Sequence, residues 1–111
     1  VSISICYSDL FENLNKMSFD YLFINPPYYP KNPINDKEKA WFCGENFDYF
    51  EQLFKQIPPF LGINNHAYII LSEDCNISKI EEIAMKNKLK LHLEFKKKVA
   101  KEENFLYRII L

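Results

Sequence analysis

The residues with the clearest chemical potential are Asn25-Pro26-Pro27-Tyr28. A planar NH2 group that is to act as a nucleophile must be held still, with its N–H bonds occupied and its lone pair turned out of conjugation. Asn25 can accept one N–H through its side-chain oxygen. The Pro26 carbonyl can accept the other, because the locked φ angles of Pro26 and Pro27 fix the direction of that oxygen. Tyr28 adds a flat face on which an amide or a nucleobase can stack.

Such a loop works only on a rigid support. Phe19-Asp20-Tyr21-Leu22-Phe23-Ile24 immediately precedes it, and this near-continuous apolar run predicts a central parallel strand covered on both faces. The prolines end the strand because they bring no ladder N–H. The C-terminal ends of strands are where open α/β sheets place their ligand sites. Pro30 and Asn32-Pro33 then keep residues 28 to 39 in a long loop, the kind that often carries function.

The remaining periodicities supply the frame. Val1, Ile3 and Ile5 alternate with Ser2, Ser4 and Cys6 as in a half-buried strand, and residues 10–15 read as a short turn or loop. Phe47, Phe50, Phe54 and Ile57 recur at helical spacing and predict an amphipathic helix over 45–57, stopped by Pro58-Pro59. Residues 66–71 read as a buried strand. Ser78-Lys79-Ile80-Glu81 offers a capping box for a helix that turns Ile80, Ile83 and Ala84 inward and fades near Asn87. Leu89, Leu91, Leu93 and Phe95 alternate with Lys90, His92, Glu94 and Lys96, and a second β-like run covers 104–111 after a polar link at 99–103. The order β, β, α, β, α, β, β is an α/β pattern closed by an antiparallel hairpin.

With 111 residues, 48% apolar content, ten Phe and seven Tyr, the chain is predicted to be one folded domain over 1–111. A net charge of −1 advertises no global nucleic-acid field. No apolar run reaches the ~18 residues of a membrane span, and the first residues lack the pattern of a signal peptide, so a cytoplasmic protein without membrane contact is expected. Cys6, Cys43 and Cys75 are odd in number and form no CxxC pair, which predicts buried thiols and no metal site. His66 and His92 read as structural histidines. Tyr29, Trp41 and Phe42 are candidates for a substrate pocket, although such aromatics more often build a core. The run Lys96-Lys97-Lys98, with Lys86, Lys88 and Lys90 nearby, reads first as a solvated face and second as a phosphate patch.

The segment Asn25-Pro26-Pro27-Tyr28 after a hydrophobic strand resembles the fourth motif of the class I S-adenosylmethionine-dependent aminomethyltransferases, among them adenine methyltransferases, the "methyltransferase small" domain and the HemK-like glutamine methyltransferases. Ser8-Asp9-Leu10-Phe11-Glu12-Asn13-Leu14 followed by Phe19-Asp20 is similar to the HemK-like sequence between the third strand and the catalytic loop. Gly44-Glu45-Asn46-Phe47 falls where those proteins carry a glycine-rich stretch.

The resemblance implies the C-terminal half of a Rossmann-like class I methyltransferase sheet, a partial catalytic domain from the third strand to the C-terminal hairpin. The family's sheet order is 3-2-1-4-5-7-6. It implies S-adenosylmethionine as cofactor, Asp9 and Leu10 beside its adenine, and Asn25, Pro26, Pro27 and Tyr28 around the substrate nitrogen, with Asn25 also near the cofactor. The cofactor's sulfonium is an excellent leaving group, so no strong general base is needed. A protein glutamine, on a release-factor-like or ribosomal substrate, is favoured slightly over adenine in RNA or DNA. The family's glycine-rich cofactor loop and its ribose-binding acid have no counterpart in the sequence. A missing N-terminal half or a second chain is therefore expected to complete the site, and the competing reading is a non-catalytic fragment or binding module. The first residue, Val1, is no initiator Met and points the same way.

Overall fold

The computed structural model describes residues 21–27, 29–40, 42–62 and 65–111. They form a mixed α/β unit: β1 (Tyr21–Ile24), α1 (Asp48–Gln56), β2 (His66–Ser72), α2 (Ile77–Lys86), β3 (Lys90–Val99) and β4 (Glu102–Ile110), with 3-10 turns at Glu38–Ala40 and Pro58–Phe60. The four strands make one sheet in the order β1-β2-β4-β3. β1 and β2 are parallel, with Ile24 opposite Ile69, while β4 runs antiparallel to both of its neighbours. The strand expected over residues 1–6, the turn at 10–15 and the start of the run at Phe19 lie outside the described residues.

One face of the sheet carries the core. Ile24, Ala67, Ile69, Leu71, Leu91 and Ile109 meet Phe50, Leu53, Phe54 and Ile57 from α1 and its C-cap, and Ile80, Ile83 and Ala84 from α2. Both helices lie on this face. At nine residues α1 is too short to hold itself together in water, so the burial of its Phe50, Leu53, Phe54 stripe is what keeps it helical. Pro58 and Pro59 end it in a 3-10 turn, as expected.

α2 corrects one expectation. Its N-cap is Asn76, whose side-chain oxygen accepts from the Lys79 N–H at 3.2 Å, and Ser78 lies inside the first turn. Asn is as good a cap as Ser, and the helix gains Ile77 by starting earlier. It closes in a Schellman motif without glycine: Lys88 takes φ 63°, the Lys88 N–H bonds the Met85 carbonyl, and the Leu89 N–H bonds the Ala84 carbonyl.

The hairpin also differs from the expected one. The link is not five polar residues but the two-residue turn Ala100-Lys101, with both residues at positive φ. Only primed turns of this kind match the twist of a hairpin. A bulge between Leu93 and Phe95 leaves Glu94 unpaired and sets Phe95 opposite Leu106. Phe95 thus moves to the face opposite Leu91 and Leu93, against the simple alternation.

That second face is largely bare among the described residues. Tyr21 and Phe23 are 62% and 63% exposed, Tyr21 stacks on His66, and Phe23 stacks on Tyr68. The prediction of a strand buried on both faces is met on one side only, where Ile24 and Leu22 face the helices.

Candidate active site

Asn25, Pro26 and Pro27 leave the sheet at the C-terminal end of β1, where the two parallel strands finish. Pro26 and Pro27 are buried, and Asn25 is exposed. The Asn25 amide makes no hydrogen bond among the described residues. An exposed amide followed in the chain by two buried prolines is an arrangement that can orient a polar planar group. Tyr28, Asp9, Leu10 and Trp41 lie outside the described residues.

The loop that follows is folded back on itself. Tyr29 bridges to Phe42, the Cys43 N–H donates to the Tyr29 carbonyl at 2.9 Å, and the Gly44 N–H donates to the Lys31 carbonyl at 2.8 Å. A side-chain clamp locks the two limbs: Asn32 Oδ1 accepts from the Glu45 N–H at 2.9 Å, and Asn32 Nδ2 donates to Glu45 Oε2 at 3.3 Å. The tip is tied by a reciprocal pair, the Glu38 N–H to Asn35 Oδ1 and the Ile34 N–H to Glu38 Oε1. None of these pairings was expected from sequence. Asn32 and Glu45 are 13 positions apart, and no periodicity links them.

Gly44 takes φ +95°, and a Cβ there would overlap the Asp48 carboxylate at the start of α1. The positive φ favours glycine, and any side chain there would also have to displace the Asp48 carboxylate. Phe47 enters the helix in the left-handed region without a side-chain cap, and the first turn is tied instead by the Tyr49 N–H to the Cys43 carbonyl. Of the pocket candidates, Tyr29 is 43% exposed and Phe42 is half-buried, with the Lys31 ammonium 5.6 Å from its ring centre.

Burial favours the protonated form of the two described thiols. Cys43 is buried beneath the loop, and burial, reinforced by the Asp48 charge, outweighs its backbone hydrogen bond and pushes it to about 11. Cys75 is likewise raised by burial and accepts from the Ser72 N–H at 3.2 Å. His66 lies level with Tyr21 at the start of β2, and His92 lies on β3, three strands from β1: His66 Nδ1 is 2.7 Å from Arg108 Nη2, and His92 is 3.4 Å from Glu94. No group of three His, Cys, Asp or Glu fit to hold a metal occurs among the described residues. No described helix is long and apolar enough to cross a membrane.

The raised groups predict a loss of stability in alkali. An unfolded Cys43 ionises near 9.0 and the folded one near 11. The folded state thus holds the proton more tightly, and its advantage is intact below pH 9 and drains away as pH rises through 11. Tyr49, pushed by burial to about 12, and Tyr107, also raised by burial, act in the same sense. Denaturant midpoints should fall from near pH 8 to near pH 11, and Cys43→Ala should flatten part of the fall. An equal fall in the variant would remove Cys43 from the account.

Comparison with protein-family models and with curated proteins finds no match to this sequence.

Proposed function

We propose that this chain is the substrate-holding part of an S-adenosylmethionine-dependent N-methyltransferase that acts on a planar nitrogen, a glutamine amide or an adenine amine. The observation that carries the reading is the sheet. Its order β1-β2-β4-β3, parallel then antiparallel, with both helices on one face, has the form of the 4-5-7-6 end of the class I order, and Asn25 follows the strand that would be the fourth. The Asn25 oxygen would accept one N–H of the substrate and the Pro26 carbonyl the other, leaving the lone pair to face the methyl group. The cofactor, when bound, supplies a methyl on a sulfonium that leaves as a neutral thioether.

The exposed Asn25 amide, bonded to no described residue, leaves an acceptor for the substrate N–H beside the methyl end of that cofactor, which supports the reading. The residues do not by themselves hold the cofactor's methionine and ribose ends. Calorimetric titration of the 111-residue chain is therefore expected to show no binding at micromolar S-adenosylmethionine. A tight one-to-one isotherm would mean that the correspondence of strands is wrong.

The reaction itself is tested by methyl transfer from labelled cofactor, using the polypeptide encoded by the whole reading frame that contains Val1. A glutamine-bearing protein and an adenine-containing oligonucleotide are offered in parallel. Label in either supports the reading. A polypeptide that binds cofactor and labels neither, even with cell extract as acceptor, would reduce it to a binding module.

A further inference from the structure

The hairpin formed by β3 and β4 ends at the same edge of the sheet as Asn25. β1 and β2 point the same way, β2 finishes at Ser72 opposite Asn104, and the turn Ala100-Lys101 lies further on. Asn25 is level with Ile70, which pairs with Leu106. From Leu106 to Glu102 the arm runs about 13 Å past that level, at ~3.3 Å per residue, and β3 stands three strand spacings, roughly 14 Å, to the side of β1.

Four lysines crowd this arm. Lys96, Lys97 and Lys98 face Phe105, Asn104 and Glu103 across the ladder, and Lys101 is in the turn. All four are exposed, and none makes an ion pair or a side-chain hydrogen bond among the described residues. Glu103, directly opposite Lys98, is half-buried and offsets part of the positive charge. Glu94 lies against His92, the Glu73 carboxylate accepts from the Glu103 N–H at 3.0 Å, and Glu102 is half-buried with Oε1 closed to solvent. Lysine on an edge strand also discourages strand addition. Phe95, 59% exposed, stands beside the run on the face shared with Leu106.

We infer that the β3–β4 arm binds the phosphate backbone of a single-stranded nucleic acid whose target base is presented to the Asn25 loop. Consecutive strand residues point to alternate faces, so Lys96 and Lys98 are set about 7 Å apart on one side with Lys97 on the other. A flexible polyanion that follows the open edge of β3 is within reach of lysines from both faces, with Phe95, on the Lys97 face, as a stacking surface. Unpaired bases are required because an amine inside a duplex cannot reach such a loop. The base-directed part rests on the proposed role of Asn25, whereas the phosphate contact does not.

The test is fluorescence anisotropy with a labelled adenine-rich single strand, as RNA and as DNA, across a salt series. Single strands lose about 0.7 in log K per tenfold rise in salt for each phosphate contact, so three or four contacts predict a slope near −2 to −3. Replacing Lys96, Lys97, Lys98 and Lys101 together by Gln should flatten the slope towards zero and weaken low-salt binding by about tenfold or more. Lys97→Gln alone should remove roughly 0.7 from the slope. Binding to either strand with these losses supports the inference. No binding to either, an unchanged slope in the fourfold variant, or lysine-dependent binding of a glutamine peptide in place of the oligonucleotides would overturn it. Arm-dependent binding by the parent protein with no methyl transfer to the bound strand would sink the proposed reaction and leave the arm standing.

Discussion

Asn25→Ala is expected to lower the rate of methyl transfer by about a hundredfold or more while leaving the thermal midpoint unchanged. On the proposed reading, the rate loss follows from removing the acceptor that would orient the substrate nitrogen in the transition state. The unchanged midpoint follows from the structure, in which the amide is exposed and bonded to no described residue, so its loss leaves nothing unsatisfied. Asn25→Asp keeps an oxygen at the same place and should retain part of the rate. Single-turnover kinetics on the three proteins read the chemical step directly. A parental rate in the Ala variant would remove Asn25 from the reaction, and a shifted midpoint would make its role structural.

Phe50→Ala is expected to cost the largest amount of stability of any single truncation in the helical layer, about 3 to 5 kcal/mol. Its ring is fully buried, meets Tyr49 edge-on at 5.5 Å between centroids and lies 6.2 Å from Phe54. Truncation removes transfer free energy and leaves a cavity beneath the sheet that the short α1 cannot collapse to fill. The consequence reaches the candidate site, because the Gly44 and Cys43 carbonyls accept from the Phe47 and Tyr49 N–H groups at the start of α1. Chemical denaturation should show the loss in midpoint with an unchanged dependence on denaturant. A cost under 1 kcal/mol would mean that Phe50 is not the centre of the core.

Local pattern was sufficient for much of the fold. The Phe50, Phe54, Ile57 spacing and the Pro58-Pro59 stop describe α1 to within three residues at its start and one at its end. The alternation after Leu89 announces β3, and the apolar run before Asn25 announces β1 with its abrupt end. These features depend on neighbours within a turn or two of chain, which sequence displays directly. The caps were legible only as a class of residue. Asn76 and Ser78 are both good N-caps, and the choice fell to the one that lets Ile77 join the helix.

By itself, the sequence determined the residue types at the chemistry and the elements that carry them: an acceptor and two prolines at the end of an apolar strand, two amphipathic helices, and a closing hairpin. Tertiary structure alone decided which pieces meet. The pairing of β2 with β4, the bulge that carries Phe95 to the other face, the Asn32–Glu45 clamp and the advance of the lysine arm to the Asn25 edge all depend on register between distant segments. A one-residue shift in such register moves every side chain to the opposite face, and no local periodicity records it.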